Sequence, residues 1–229
     1  MEVPLPRHQR LVAGGMMVSV VTPWLDHPEL VEGYAEAVAG ADEVIVVLNR
    51  GDAGMFRGHD FVIHQPGAPL GFAASNNRGA SFVTGDILVY LNNDVTGGFI
   101  DAVRRDVEDG ALYGPSIVDA TRVIRPDGSY AGLNFGGQPV PYVEGWCVAA
   151  TRETWGEVGP WDAEAFPRPY WEDVDLSLRA IRAGIAIKRA PWPVQHLGGT
   201  TTQDPALNAW EGFWDQRAVV QRRLDAVLA

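Results

Sequence analysis

From Val44 to Leu48 the chain runs Val-Ile-Val-Val-Leu with no polar interruption, and an amphipathic surface element does not read that way. A short, unbroken, β-branched run is a strand covered on both faces, the condition met in parallel sheets. The rest of the first 110 residues keeps to the same scheme. Val18-Ser19-Val20-Val21-Thr22 is a β-branched strand closed by Pro23, and Pro28 opens a helical stretch to about Ala39. Phe61-Val62-Ile63 reads as a shorter strand, Gly71 to Ser81 as helix, Asp86 to Leu91 as a fourth strand, and Phe99 to Glu108 as helix again. Such alternation predicts an α/β fold, a mainly parallel sheet flanked by helices with right-handed crossovers.

The second half is less regular. Val123 to Tyr130 carries an Asp127-Gly128 turn between extended pieces, which predicts a small antiparallel hairpin, and Gly132, Gly136 and Gly137 extend the loop-rich region. Val143 to Thr151 reads as one strand, Arg152 to Val158 as a short helix, and Ala186 to Arg189 as a strand. Val174, Leu178, Ile181 and Ile185 recur at the spacing of one helix face, with Gly184 placed to end it. A last helix is expected over about Ala206 to Leu228. With no repeat and no linker, residues 16–229 read as one domain with halves at 16–110 and 111–205 and a closing helix at 206–228. Residues 1–15 read as a disordered lead-in.

Charge narrows the partners. Twenty-nine acids against 18 bases give −11 and a pI near 4.8, which opposes general affinity for nucleic acid or anionic lipid. A lone cysteine, Cys147, excludes an internal disulfide framework. No apolar run approaches the roughly 18 residues a bilayer span needs, and the first fifteen residues lack a signal core. The expectation is a soluble, cytoplasmic protein without an integral membrane segment, its oligomeric state open to a homodimer.

Four places carry chemistry. Asn92-Asn93-Asp94 comes directly after the fourth strand, where open α/β sheets bind ligands and an Asp can hold a divalent cation; a helix cap before Gly97-Gly98 is the plainer reading. Gly71-Phe72-Ala73-Ala74-Ser75-Asn76-Asn77-Arg78-Gly79 offers small residues and paired amides at a helix start, fit to approach a diphosphate or a base, or simply to pack an Ala face on the sheet. Tyr170-Trp171-Glu172-Asp173-Val174-Asp175 sets carboxylates in a first helical turn. The helix dipole and an Asp175–Arg179 pair explain the acids, whereas two adjoining aromatics point to a sugar site with a general base. His196 is either structural or a metal ligand, and Trp146 either core or a pocket wall.

In this order the pieces resemble the family 2 glycosyltransferases of GT-A fold, in particular their rhamnosyltransferase-like branch. Gly71-Phe72-Ala73 with Asn76-Asn77 and Gly79, Leu91-Asn92-Asn93-Asp94, Gly145-Trp146-Cys147, Trp171-Glu172-Asp173-Val174-Asp175-Leu176 and His196 carry the resemblance, which spans Met17 to Thr202. It implies an inverting, metal-dependent transfer of a sugar from a nucleoside-diphosphate sugar to the hydroxyl of a glycan, lipid-linked glycan, small molecule or protein. Mn²⁺ or Mg²⁺ would be held by Asp94 and His196, and Asp173 would act as general base with Glu172 beside it. Donor contacts would come from Pro23, Trp24 as a stacking surface, Asn49, Gly71, Phe72, Asn76, Asn92, Asn93 and Asp94. Acceptor contacts would come from Trp146, Trp171 and Glu172. Two departures stand out: Asn92 replaces the first carboxylate of the metal motif, and Asn49 or Asp52 stands where an Asp usually bonds the base. A sugar-phosphate nucleotidyltransferase and a non-catalytic sugar-binding module are the alternatives.

Overall fold

The computed structural model describes residues 15–125, 127–199 and 210–228. Along the chain run β1 (Val18–Leu25), α1 (Val31–Ala37), β2 (Glu43–Arg50), β3 (Val62–His64), α2 (Phe72–Ala80), β4 (Ile87–Leu91), β5 (Val95–Thr96), α3 (Ile100–Asp106) and β6 (Ala111–Gly114). Then come β7 (Ile117–Asp119), β8 (Pro141–Val143), β9 (Cys147–Thr151), α4 (Arg152–Val158), α5 (Glu172–Arg182), β10 (Ala186–Arg189), β11 (Gln195–His196) and α6 (Phe213–Leu228).

Seven strands form the central sheet in the order β10-β6-β9-β4-β1-β2-β3, parallel except for β9, which runs against both its neighbours. The expected parallel sheet therefore holds, and it recruits strands from both halves of the chain. Burial on both faces explains why β4 is wholly apolar and β1 and β2 largely so, with Ser19 and Thr22 of β1 as buried exceptions. Val18, Val20, Val44, Val46, Leu48, Val89 and Leu91 pack on the face that carries Tyr34 of α1 and Val103 of α3, while Val21, Ile45, Leu88 and Tyr90 pack on the face of Ala73, Trp155 and Leu176. A third cluster joins Trp171, Val174 and Leu178 of the α5 region to Phe213, Val220 and Leu224 of α6. Two-stranded antiparallel pairs, β5 with β11 and β7 with β8, lie outside the main sheet.

Several boundaries move. Pro23 does not close β1. The strand continues to Leu25 along β2, while its pairing with β4 ends at Val21↔Tyr90, so the proline meets an edge with no ladder to break. That same gap between β1 and β4 is the switch point of the sheet, where parallel α/β folds open a crevice. The single strand expected over Val143 to Thr151 is two, β8 and β9, because Glu144-Gly145-Trp146 turns the chain between them. The hairpin over Val123 to Tyr130 reduces to one antiparallel bridge, Ile124↔Tyr130, beside an Arg125 carbonyl-to-Gly128 turn. Short β5, β6, β7 and β11 have too few residues to display a period. Residues 1–14 of the lead-in and 206–209 of the last helix lie outside the described residues, and within them α6 begins at Phe213. No described helix is long and apolar enough to cross a membrane.

Candidate active site

A cleft of about 1520 Å³ opens beside the switch point. Pro23 and Leu25 from the end of β1, Asn49 from β2 and Asn92, Asn93 and Asp94 after β4 line its sheet side; Glu144, Gly145, Trp146 and the segment Pro167–Val174 line the opposite side. Of the residues expected to form the site, Gly71, Phe72, Trp146, Trp171, Glu172, Asp173 and His196 also face this one cleft.

The β5–β11 pair aligns Asp94 with His196. Val95 pairs with His196, the Leu197 N–H donates to the Asp94 carbonyl at 2.9 Å, and the side chains meet with His196 Nε2 3.1 Å from Asp94 Oδ1. Trp146 stacks on the His196 ring, centroids 4.7 Å apart and planes 11° from parallel, and its carbonyl accepts the Asn92 N–H at 2.8 Å. Trp146 is thus a wall of the cleft. One carboxylate and one imidazole meet at the edge of the cleft, and among the described residues no three His, Cys, Asp or Glu side chains form a metal cage. This donor set fits a hard divalent cation gripped by few side chains and completed by phosphate oxygens.

Opposite stands the start of α5. Tyr170 and Trp171 adopt left-handed backbone, φ 81° and 74°, a conformation bulky residues hold at a cost of about 1–3 kcal/mol and which persists where surrounding packing imposes it. Gly71 makes room for this segment, since a Cβ there would lie 2.4 Å from the Pro167 carbonyl oxygen. The left-handed pair turns Glu172 and Asp173 into the cleft at the first turn of the helix. Asp173 accepts the Gly145 N–H at 3.0 Å and the Val174 N–H at 2.8 Å. Burial nevertheless pushes its carboxyl up to about 6 against those two hydrogen bonds, with Glu144 adding to the rise. Glu172 is pushed well above the usual carboxylate range by burial and by the adjoining Asp173 charge, and its Oε2 has no hydrogen-bond partner among the described residues. Asp175 turns away and is held by Arg179 at 2.9 Å and by Arg223 of α6, so the stabilising pair read from the spacing is present.

Two expected donor contacts are elsewhere. Trp24 is wholly buried, edge-on to Tyr34 and Phe56 at 5.2 and 4.9 Å, because alternation along β1 turns position 24 to the α1 face while Pro23 meets the cleft. It has no face to offer a base. Asn76 is sealed beneath α2, off the cleft, with neither end of its amide hydrogen-bonded among the described residues, and its neighbour Asn77 clamps the backbone of Trp161 at 2.7 and 2.9 Å. Asn49 does line the cleft, yet its side chain accepts the Leu70 N–H and donates to Ser75 Oγ, both at 2.9 Å. Asp52 caps a short turn through the Gly54 N–H, away from the cleft.

Glu144 and Tyr142 belong to the site without being announced by the sequence pattern. Glu144 lines the cleft, accepts from Ser116 Oγ and from Trp146 Nε1 at 3.3 Å, and places a third carboxylate beside Glu172 and Asp173. Burial raises the Tyr142 hydroxyl, with those three carboxylates adding to the effect. The one signal present is the polar Glu144 and flexible Gly145 inside an otherwise apolar run.

No family model matches the chain. It is 30% identical over 200 residues to the uncharacterized protein Rv1525 of Mycobacterium tuberculosis (strain ATCC 25618 / H37Rv) and, equally, to the uncharacterized protein Mb1552 of Mycobacterium bovis (strain ATCC BAA-935 / AF2122/97), covering 81% of this chain and 74% of each relative. Among solved structures, the mannosyltransferase PcManGT from Pyrobaculum calidifontis, in complex with GDP-Man and Mn²⁺, superposes with a TM-score of 0.55 at 17% identity, over 95% of this chain and 66% of that one. At that identity the likeness is one of fold, a GT-A architecture of mostly parallel sheet flanked by helices. By its mycobacterial relatives, the chain belongs to the family of Rv1525 and Mb1552, and it carries that family on a GT-A fold.

Proposed function

We propose that the protein is an inverting, nucleotide-sugar-dependent glycosyltransferase of family 2 type that moves a sugar from a nucleoside diphosphate to an acceptor hydroxyl. One observation carries the reading: Asp94 and His196 face a half-buried Asp173, whose carboxyl is pushed up to about 6, across a single cleft at the sheet's switch point. Asp94 and His196 would hold Mn²⁺ or Mg²⁺, which when bound neutralises a diphosphate leaving group. Asn92 in place of a carboxylate leaves the protein's own negative charge there low.

On the opposite wall the acceptor hydroxyl lies against Asp173. Its oxygen attacks the anomeric carbon as its proton passes to the Asp173 carboxylate, and the bond from that carbon to the diphosphate breaks with the electron pair leaving on the diphosphate. A carboxyl that titrates near 6 is ionised at neutral pH and still basic enough to share that proton. The Gly145 N–H holds the carboxylate in place, and Glu172, readily protonated, is suited to donate to an acceptor oxygen. Phe72, Trp146 and Trp171 give the walls apolar rings.

The test is a thermal-shift screen of UDP-, GDP- and dTDP-sugars, GDP-mannose first, with Mn²⁺ and with EDTA, completed by a donor-hydrolysis assay. A rise in Tm that needs both donor and metal, with hydrolysis, is expected. Absence of both overturns the reading, and pyrophosphate release from a nucleoside triphosphate and a sugar phosphate replaces it with nucleotidyl transfer.

A further inference from the structure

One stretch of the cleft plays no part in that chemistry. Arg125, next to the Ile124↔Tyr130 bridge, sets its guanidinium carbon 5.2 Å from the Trp210 ring and 5.5 Å from the rings of Phe213 and Trp214. Rings over its faces leave the edge donors for hydrogen bonding. Asp127, an exposed carboxylate, lies 3.3 Å from Nη1, and the sheltered Nε–H has no acceptor among the described residues. A planar guanidinium with its faces covered is prepared for two-point contact with a carboxylate or phosphate.

The same rings lead to the catalytic helix. Tyr170 stacks on Trp210 at 4.4 Å with planes 20° apart, and Phe213 lies 5.6 Å from Tyr170 and 5.3 Å from Trp171. The left-handed backbone at Tyr170 and Trp171 therefore aims the carboxylates inward and builds this aromatic shelf outward. Charge is divided along the cleft in the same sense: Asp94, Glu144, Glu172 and Asp173 line the inner part, Arg122, Arg125 and Arg168 the outer. Arg122 and Arg168 lean on Asp119 and Glu211, neither of which lines the cleft. In a chain of net charge −11, three arginines gather along one stretch of the cleft, each with an acid beside it.

Resting on the glycosyltransferase reading, we propose that this outer stretch is the acceptor subsite for a sugar that carries an anionic group. Arg125 takes the carboxylate or phosphate, and the Tyr170–Trp210 stack takes the apolar face of the ring. The two anion types share one recognition chemistry, and the probes separate them.

Calorimetric titration of the full chain tests this with glucose, glucuronate, glucose 6-phosphate and inorganic phosphate, in EDTA so that no phosphate is held through a divalent cation. At least one anionic sugar is expected to bind tenfold or more tightly than glucose, and that preference is expected to fall below threefold in Arg125→Gln. Arg125→Lys keeps the charge and the ring contacts but loses the planar fork. A threefold or greater loss of preference is expected there, and this variant carries the test if the glutamine variant does not fold. Equal binding of glucose and both anionic sugars overturns the subsite, as does an undiminished preference in the folded variants. Inorganic phosphate binding as tightly as glucose 6-phosphate, with glucuronate no tighter than glucose, overturns the ring contact. Donor binding and hydrolysis with Mn²⁺ are measured on the unsubstituted chain. Their failure sinks the glycosyltransferase reading and leaves the anion preference to stand or fall by itself.

Discussion

Asn49, near the carboxyl end of β2, and Asn92 and Asp94, just past the carboxyl end of β4, are carried by strands of the central sheet, although Asn49 falls where the β1–β2 register shifts and Asp94 sits on the turn after β4. The facing wall has no such scaffold. Glu144, Gly145, Tyr170 and Trp171 lie on turns, and the carboxylates there are held by two backbone N–H groups, a left-handed dipeptide and the packing of α6. Asn49 on the sheet wall is tied into the structure, whereas on the helix wall the buried Glu172 and half-buried Asp173 carboxyls are forced toward protonation. Left-handed backbone flanks both walls, at Asp26 and His27 just past β1 and at Tyr170 and Trp171, whereas among the described residues the carboxyls pushed upward are Glu172 and Asp173, on the wall where proton transfer is proposed.

The largest expected effect breaks that contrast outright. Asp173→Asn is expected to lower turnover by about 10²–10⁴-fold, the scale of a lost general base, while a nucleotide-sugar still raises Tm in the presence of Mn²⁺. Full turnover would remove Asp173 from the chemistry. Activity of the unsubstituted protein should fall tenfold per pH unit below about 6 and level off above it, since the base works ionised. Trp24→Ala comes next, at about 3–5 kcal/mol of stability, with the donor preference of the remaining folded protein unchanged. A raised donor KM with Tm intact would return Trp24 to the sheet wall of the site.

Legibility in the sequence divides along the same line. The unbroken apolar runs at Val44 to Leu48 and Ile87 to Leu91, and the run at Val18 to Val21 broken only by Ser19, announce strands covered on both faces, and the residues just after the carboxyl end of such a strand land in the crevice by topology alone. That is why Asn92, Asn93 and Asp94 are readable from position. Trp24 misleads because it comes after Pro23 at a strand end, and the parity of β1, which decides its face, is visible only once the strand is known to run on to Leu25. Glu144 and Tyr142 are hidden because a three-residue turn inside an apolar segment has no period. The approach of β11 to β5, which brings His196 to Asp94, joins pieces of two residues each and is settled by tertiary contacts rather than by any local pattern.

A smaller effect concerns what the helix wall costs the fold. Asp173 has a native carboxyl near 6 against an ordinary 3.8, so the folded state binds the proton more tightly than the unfolded chain. Stability is therefore lost as pH rises from about 4 to about 6 and is flat above. In Asp173→Asn that pH dependence should disappear: relative to the parent its stability should rise by about 1–3 kcal/mol between pH 4 and pH 8, on top of a pH-independent cost for the one N–H, of Gly145 or Val174, that an amide NH2 cannot accept. Chemical denaturation of both proteins at the two pH values checks it. An Asn variant whose stability relative to the parent is the same at both pH values would mean that the carboxylate is not strained there.

The smallest effect tests the sheet wall. Asn49 both accepts from Leu70 and donates to Ser75, so Asn49→Ala leaves the Leu70 N–H without its acceptor and should cost about 1–2 kcal/mol, a fall in Tm of a few degrees. Asn49→Asp separates structure from recognition more finely. A carboxylate still accepts from Leu70, and Ser75 can turn its own hydroxyl to donate to it, so the fold should tolerate Asp better than Ala. If Asn49 only braces the segment that leads into α2, the Asp variant keeps the donor preference of the parent protein. Where it also reads the base, Asp changes the ranking of UDP-, GDP- and dTDP-sugars while Tm without ligand barely moves, and the sheet wall must then be counted as a specificity surface as well as a scaffold.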